Sequence, residues 1–453
     1  MSDDHGPRFL IIGAGPAGTS AATTAAALGA QVTLVEDSVI GGAAHLWDCI
    51  PSKTMVASSI RMQAIIGAEN LGIVPGPARV DLAHLAERVR GISDDLSAKQ
   101  VTLLESQEVE IVRGRGRFTG LHDAIAETDE GVRELSFDYA LISTGSRPRA
   151  PEWANVDGER ILTTRHAYGL TEVPQHMVIV GSGVTGVEMT HIFASLGARV
   201  SLLVSRQQVL PHKDPEVAAV LEEDFLERGV ELLKGARAVA IRREGDEVVV
   251  EVQDGRTVRG SHALLAIGAV PNSAGLGLED LGVETEGGFV KVDEFQRTTV
   301  PHIYAAGDVT GQMLLSSVAS VQGRKLARHA LGHPETPMDY TKVAQAIFTE
   351  PEIASVGLEE ATAAAEGRKV RITKVPFAAN PRSLIHGSVR GFAKVISDPA
   401  AGIVLGGTIV GHRASELIGI LALAVQAKVK THTLTETLMV HPSLSESLAD
   451  AAE

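Results

Sequence analysis

One pattern occurs twice and decides most of what this chain can become. Phe9-Leu-Ile-Ile12 runs into Gly13-Ala-Gly15-Pro16-Ala17-Gly18, an alanine-rich stretch reaches Leu28-Gly29, and a second apolar run ends at Glu36. Val178-Ile-Val180 runs into Gly181-Ser-Gly183-Val-Thr-Gly186, a further stretch reaches Leu196-Gly197, and Val200-Ser-Leu-Leu-Val204 comes next. Each copy reads as strand, glycine turn, helix, strand, the context that gives a Gly-x-Gly-x-x-Gly pattern a mechanism. The first glycine makes the tight turn, the second lets backbone approach a pyrophosphate, and the third packs helix on strand. The helix start then offers unpaired N–H groups and a positive dipole end to the anion. First glycines at positions 13 and 181 are too far apart for a solenoid and suit two successive dinucleotide domains.

The remaining chain fills in around these units. With 453 residues, 44% hydrophobic and 21% charged, two to four compact units are expected. A helical stretch is predicted from about 60 to 105, with Ile60, Ala64, Ile65, Leu82, Leu85, Ala86 and Val89 at helix spacing. Short strands are predicted over 109–142 and 236–266. After Thr336-Pro337 the pattern changes to strands near 343–348, 370–377, 391–397 and 403–410, then helices from 413. The expected fold is α/β: two Rossmann-like dinucleotide-binding domains plus a C-terminal α+β interface domain. The boundaries expected are 1–148, 149–270, 271–336 and 337–453, the third segment completing the first domain.

Charge and sulfur exclude several function classes. The 41 basic against 56 acidic residues give a net charge of −15, which repels a phosphate backbone, so no nucleic-acid partner is expected. The acidic start MSDDHGPRF lacks a basic leader and an apolar core, and Leu417 to Val425 is too short to span a bilayer. A cytoplasmic protein without a membrane span is expected. The 16 histidines show no metal-binding spacing, so no metal is implied. Cys49 is the only cysteine, so the chain alone forms no disulfide and runs no dithiol chemistry.

The two copies differ at the end of their second strands. Glu36, seven residues after Gly29, ends the strand in the first copy, where a carboxylate accepts hydrogen bonds from an unphosphorylated ribose, as in FAD or NAD. Seven residues after Gly197 stands Val204, with Ser205 and Arg206 next in the chain. Nothing acidic there repels a 2′-phosphate, and a hydroxyl with a guanidinium suits one, so NADPH is favoured or at least accepted.

With the segment Gly41-Gly42-Ala43-Ala44-His45-Leu46-Trp47-Asp48-Cys49-Ile50-Pro51-Ser52-Lys53, these features resemble the FAD-dependent pyridine nucleotide–disulfide oxidoreductases, which include dihydrolipoamide dehydrogenase and glutathione reductase. The likeness runs nearly end to end. Ser143-Thr144-Gly145 resembles the crossing between the FAD and NAD(P) domains, and Ile303 to Val309, with Gly307-Asp308, resembles the second FAD motif, whose aspartate binds a ribityl hydroxyl. His441-Pro442-Ser443-Leu444-Ser445-Glu446 resembles the C-terminal active-site signature. Gly42, Gly116 and Gly268 complete the candidate cofactor-binding set. The resemblance implies bound FAD, NADPH or NADH as co-substrate, and a homodimer in which His441, oriented by Glu446, serves the partner's flavin. Lys53 resembles the lysine near flavin N5, and Glu188 the glutamate that pairs with it. The Phe377-Ala-Ala-Asn380 turn and Gly406-Gly407 resemble structural elements of the interface domain.

The chain departs from that family at one sulfur. The family's redox segment has two cysteines; laid on this sequence, the first falls on Ala44 and the second on Cys49. Two readings of Cys49 stand open: a thiolate favoured by the start of a helix at Pro51-Ser52-Lys53, or an inert packed remnant. Without the interchange thiol, lipoamide or glutathione turnover is not expected, and a small oxidant reaching the flavin is the natural acceptor. The departure is similar to that in actinobacterial lipoamide-dehydrogenase-like quinone reductases. The expected activity is NAD(P)H:quinone oxidoreduction, with His441 protonating an acceptor oxygen, and His45 and Trp47 near the vacated position. Soluble NAD(P)+ transhydrogenase and a slow NAD(P)H-sensing flavoprotein acting through a partner are the alternatives.

Overall fold

The computed structural model describes residues 6–453; residues 1–5, part of the acidic stretch on which the expectation of no leader rests, lie outside that range. The described chain divides into two compact units. The first contains the described residues up to Thr54, then His84–Arg149 and Gly268–Met338. At its centre the strand Arg8–Ile12 pairs in parallel with Gln31–Glu36 on one side and Tyr139–Ile142 on the other. Ile303–Ala305 and Glu110–Arg113 complete a five-stranded parallel sheet. Alternate residues of the central strand enter different cores: Phe9 and Ile11 pack with Ala17, Ala21 and Leu326, whereas Leu10 and Ile12 pack with Phe118 and Phe137. A strand covered on both faces has no polar side to show, which is why Phe9 to Ile12 reads as an unbroken apolar run.

The alanine-rich composition of the first helix, Pro16–Ala27, also has a packing cause. The helix Ser316–Ala330 approaches so closely that a Cβ on Gly323 would stand 2.2 Å from the Ala17 carbonyl oxygen. Larger side chains at that crossing have no room.

The second unit contains Met55–Ala83, Ala150–Ile267 and Asp339–Glu453. Its parallel sheet runs Glu231–Lys234, Arg199–Val204, His176–Val180, His262–Leu265, Ile161–Thr163 in spatial order. The C-terminal segment forms an antiparallel sheet, ordered Gln345–Ile347, Glu352–Gly357, Val404–Gly411, Phe392–Ser397, Arg371–Pro376. The helix Ala414–Gln426 lies on it, with Leu421 in the space left by Gly407, whose Cβ would sit 2.6 Å from the leucine Cδ1. That helix holds the apolar run Leu417–Val425, but only one face is covered: Leu421 is buried and Leu423 is 69% exposed. Among the described residues, no helix is long and apolar enough to cross a membrane.

Two sequence expectations need correcting. The helical stretch predicted over 60–105 is two helices, Cys49–Ile66 and Leu82–Ser106. The break between them contains Pro75-Gly76-Pro77, where one proline denies the preceding residues helical backbone and glycine favours none. The strand Glu352–Gly357, which pairs with two neighbours in its sheet, is absent from the sequence expectation. Its sequence, Glu-Ile-Ala-Ser-Val-Gly, is short and only partly apolar, and its partners supply the order.

The second unit also buries charge. Lys394 is 1% exposed, and its ammonium donates to Asp214 at 2.8 Å, Glu216 at 2.5 Å and Glu360 at 2.9 Å. Burial opposes that charge, but the three carboxylates more than offset it and hold the ammonium above its usual range. These carboxylates are the one group of metal-ligating side chains found among the described residues, and the lysine already occupies its centre.

His191 is fully buried, and its Nδ1 accepts a hydrogen bond from Arg228 at 3.1 Å, so the neutral ring carries its proton on Nε2. Burial, assisted by the Arg228 charge, pushes its pKa down to about 3. Between that value and the unfolded value of about 6.5, the unfolded chain binds a proton that the folded chain refuses. This contribution to stability is complete above pH ~6.5 and is lost as pH falls towards 3. His191→Gln keeps an acceptor for Arg228 and removes the titration. Its melting temperature should decline less steeply from pH 7 to pH 4 than that of the wild type; equal slopes would exclude His191 as a source of acid sensitivity.

Candidate functional site

The two glycine turns have the same anatomy. A Cβ on Gly13 would lie 2.4 Å from the Ser143 carbonyl oxygen, and one on Gly18 would lie 2.0 Å from the Gly13 carbonyl oxygen. In the second copy, a Cβ on Gly181 would lie 2.3 Å from the Ala266 oxygen, and one on Gly186 would lie 1.9 Å from the Gly181 oxygen. The first and third glycines are therefore closed in by the chain itself. The middle glycines, Gly15 and Gly183, have nothing within 4 Å of an added Cβ. Each is the N-cap of a twelve-residue helix, Pro16–Ala27 and Val184–Ser195, and neither helix has a side-chain cap. Open space in front of uncapped amides fits a dinucleotide pyrophosphate.

The surroundings of the first turn extend the cradle. Glu36 is buried; its Oε2 accepts the Ala14 amide at 2.6 Å and its Oε1 the Ser38 amide at 2.9 Å. Burial pushes this carboxyl above its ordinary value, against the pull of both amides. Gly42 packs on the same turn, since a Cβ there would meet Gly15 Cα at 2.8 Å. A Cβ on Gly116 would lie 3.0 Å from the Ile12 side chain, so the glycine packs beside the strand that leads into the turn. Asp308, in the short helix Gly307–Thr310, accepts from Ser146 Oγ at 2.8 Å, and burial raises its carboxyl also.

The crossing segment is held by a residue outside every sequence motif. Asn272 donates to the Thr144 carbonyl at 3.0 Å and its own carbonyl accepts from Thr144 Oγ1 at 2.7 Å, while its backbone amide binds the Gly145 carbonyl at 3.0 Å. Gly268 accepts the Arg149 amide at 2.9 Å, beside the antiparallel pairing of Ser146–Pro148 with Ala269–Pro271. No sequence signal marks Asn272; its role depends on two chain segments meeting.

In the second copy, strand register aligns the ends of the two sheets. Ile12 pairs with Val35 and Val180 with Leu203, so Glu36 and Val204 hold the same position. Val204 is fully buried, and the exposed Ser205 and Arg206 come directly after it. Glu188, 4% exposed on the helix Val184–Ser195, accepts the Phe348 amide at 2.9 Å.

The segment that carries the sulfur forms two helices, Gly42–Leu46 with Ala44 inside it, and Cys49–Ile66. The second starts at Cys49, two residues before the Pro51 start expected from sequence, and carries Lys53 in its second turn. Cys49 Sγ lies 3.1 Å from Ser316 Oγ. The His45 ring turns back on its own first turn, where a Cβ on Gly41 would meet Nδ1 at 1.9 Å, and burial lowers its pKa.

His441 is 70% exposed, and its Nδ1 lies 2.8 Å from Glu446 Oε1. The other glutamate oxygen accepts the Ser443 amide at 2.7 Å. That amide first, and His441 second, hold the Glu446 carboxyl below the usual range. A carboxylate acceptor fixes the proton of the neutral ring on Nδ1 and leaves the lone pair on Nε2.

Fold and turns together define an oxidoreductase with two dinucleotide sites. Residues 7–327 match the pyridine nucleotide-disulphide oxidoreductase family and residues 343–452 match its dimerisation domain, so the chain belongs to that family. Membership brings FAD as cofactor and NAD(P)H as reductant. The chain is 42% identical to an NAD(P)H dehydrogenase (quinone) of Mycobacterium tuberculosis, over 98% of this chain and 93% of the other. It is 36% identical to a dihydrolipoyl dehydrogenase of Chlorobaculum tepidum, over 98% and 95% respectively. The crystal structure of LpdA from M. tuberculosis superposes with a TM-score of 0.94 at 42% identity, covering 98% of this chain and 99% of that one. A flavoprotein disulfide reductase of Escherichia coli, RclA, gives 0.89 at 26% identity, with 98% and 99% covered.

The glycine geometry separates binding from folding. Gly15→Val places its side chain in open space, so melting without FAD should match the wild type while FAD is lost on gel filtration. Gly18→Ala should destabilise the chain by about 1–3 kcal/mol through the carbonyl clash. Retention of FAD by Gly15→Val would remove the turn from the cofactor site.

Proposed function

We propose that the chain is an NAD(P)H:quinone oxidoreductase working without an active-site disulfide, built as a homodimer. The observation that carries this reading is the single cysteine at a position where the family uses two, with Ala44 in place of the interchange thiol. A dithiol relay needs two sulfurs, and no protomer has them. In this reading residues 1–148 and 271–336 hold FAD, 149–270 hold NAD(P)H, and 337–453 make the dimer.

The chain's own residues divide the work. Gly13 closes the turn with its amide on the Val35 carbonyl, Gly15 leaves the front open, Pro16 presets the first helical residue, and the uncapped amides of Ala17 and Gly18 hold the FAD pyrophosphate, while Glu36 takes a ribose and Asp308 a ribityl hydroxyl. Thr144, Gly145 and Gly268 shape the crossing beside the cofactor, and Gly42 closes the turn. Gly181, Gly183 and Gly186 bind the second pyrophosphate, with Ser205 and Arg206 on the 2′-phosphate of NADPH. FAD, when bound, takes a hydride from NAD(P)H and delivers two electrons to an acceptor. Lys53 supplies positive charge for the flavin, and Glu188, fixed by the Phe348 amide, lies on the nucleotide helix. His441 as the imidazolium delivers the Nε2 proton to an acceptor oxygen and is left neutral with its remaining proton on Nδ1, held by Glu446, until Nε2 takes another proton from solvent. Cys49 is bound to Ser316 Oγ and serves as packing in this scheme.

Two measurements test the reading. An acceptor panel under steady state should give turnover with menadione and negligible turnover with lipoamide; rapid lipoamide reduction would contradict it, and hydride exchange between NADPH and an NAD analogue without quinone turnover would favour transhydrogenation. Arg206→Ala should raise KM for NADPH about ten-fold or more and leave KM for NADH nearly unchanged, as expected for loss of a charge-assisted hydrogen bond of about 1.5–3 kcal/mol. Equal effects on both would move the 2′-phosphate site elsewhere.

A further inference from the structure

The Phe377-Ala-Ala-Asn380 turn resembles an interface-domain element, and the proposed reaction makes no use of it. In the structure Asn380 is 3% exposed, and both its amide protons and its carbonyl oxygen are engaged, by one loop residue and by the starts of two helices. One amide proton goes to the Ser443 carbonyl at 2.9 Å and the other to Ser447 Oγ at 2.9 Å. Oδ1 accepts the Ser383 amide at 3.1 Å, which caps the helix Pro381–His386. The Asn380 backbone is itself anchored, its amide binding the Phe377 carbonyl at 3.0 Å, and Phe377 is buried in the same core as Leu448.

The backbone of Ser443 is therefore held at both its peptide groups. Its carbonyl is held by Asn380 and its amide by Glu446 Oε2, while Glu446 Oε1 holds His441 Nδ1. At 70% exposure the imidazole has little packing to orient it. Its direction is inherited from Glu446, whose direction is inherited from the Ser443 amide. A buried amide that meets three partners is rigid, because losing any one leaves a desolvated polar group.

We propose that Asn380 is a positioning residue for the acceptor half of the reaction, clamping the Ser443 backbone so that Glu446 holds the Nδ1–H of His441 and Nε2 is the nitrogen that takes a proton from solvent and gives it to the acceptor. The proposal rests on the reading of His441 as the proton donor, and the tautomer can be read independently of turnover.

The test uses the FAD-loaded full chain with ring-15N-labelled histidine, the His441 signals being identified by their loss in His441→Gln. With the ring neutral, the wild type should show Nδ1–H. Asn380→Asp is isosteric and keeps the Ser383 cap, but it sets a carboxylate against the Ser443 carbonyl. The expected result is a shift of the neutral His441 ring towards the Nε2–H form, the mark of a lost Nδ1–H bond to Glu446, and a roughly ten-fold fall in quinone reduction with KM for NADPH unchanged, because the imidazolium is no longer aimed at the acceptor. On a Glu446→Gln background the substitution should add little, since both act through one pair. Should Asn380→Asp fail to fold, Asn380→Ser retains a capping oxygen without reaching the Ser443 carbonyl, and the same shift is expected. An unchanged His441 tautomer in the variant that folds overturns the proposal. A shifted tautomer with unchanged quinone reduction supports the clamp and removes instead the reading of His441 as proton donor.

Discussion

Everything in this chain is arranged around backbone amides left without partners at two helix starts. Elsewhere in proteins such groups are capped by a serine, threonine, aspartate or asparagine; here the capping position is glycine both times, and open space lies in front. The flanking glycines show the constraint from the other side. Each lies so near a carbonyl oxygen that strand, turn and helix have only one way to meet. The chain accepts tight backbone packing behind the turn to keep its front bare, and an anionic dinucleotide completes the hydrogen bonding that folding leaves unfinished.

Duplication supplies the scaffold and divergence at one register position separates the ligands. Glu36 and Val204 end equivalent strands, one a buried carboxylate bonded to two amides, the other a buried aliphatic side chain with a hydroxyl and a guanidinium directly after it. The first arrangement suits a ribose diol, whereas the second tolerates a phosphate. Sulfur chemistry sets the other limit. One thiol beside a serine hydroxyl has no partner sulfur in its own chain, so the electron path in the proposed scheme ends at a small acceptor rather than at a disulfide.

How much of this is legible in the sequence depends on how local each cause is. The glycine turns, the paired parallel strands and most C-terminal strands are encoded in contiguous residues and can be read there. The break after Ile66 escapes a sequence reading because helical periodicity on either side hides the Pro75-Gly76-Pro77 segment. The strand Glu352–Gly357 escapes it because its order comes from neighbours distant in sequence. Of the site, Glu36, Asp308, His441 and Glu446 fall within recognisable motifs. Asn272 does not, since it acts on Thr144 across more than a hundred residues. Asn380 is visible as part of a motif, but its partners Ser443 and Ser447 emerge only when the C-terminal loop folds over it.

The central claim is that bound FAD is the sole two-electron store in each protomer. Anaerobic titration with NADPH, monitored by absorbance of the flavin band, reads this directly. Reduction complete at one NADPH per FAD, with no further uptake, is the result the account requires. Consumption of a second equivalent before the end point would reveal another redox centre and contradict it.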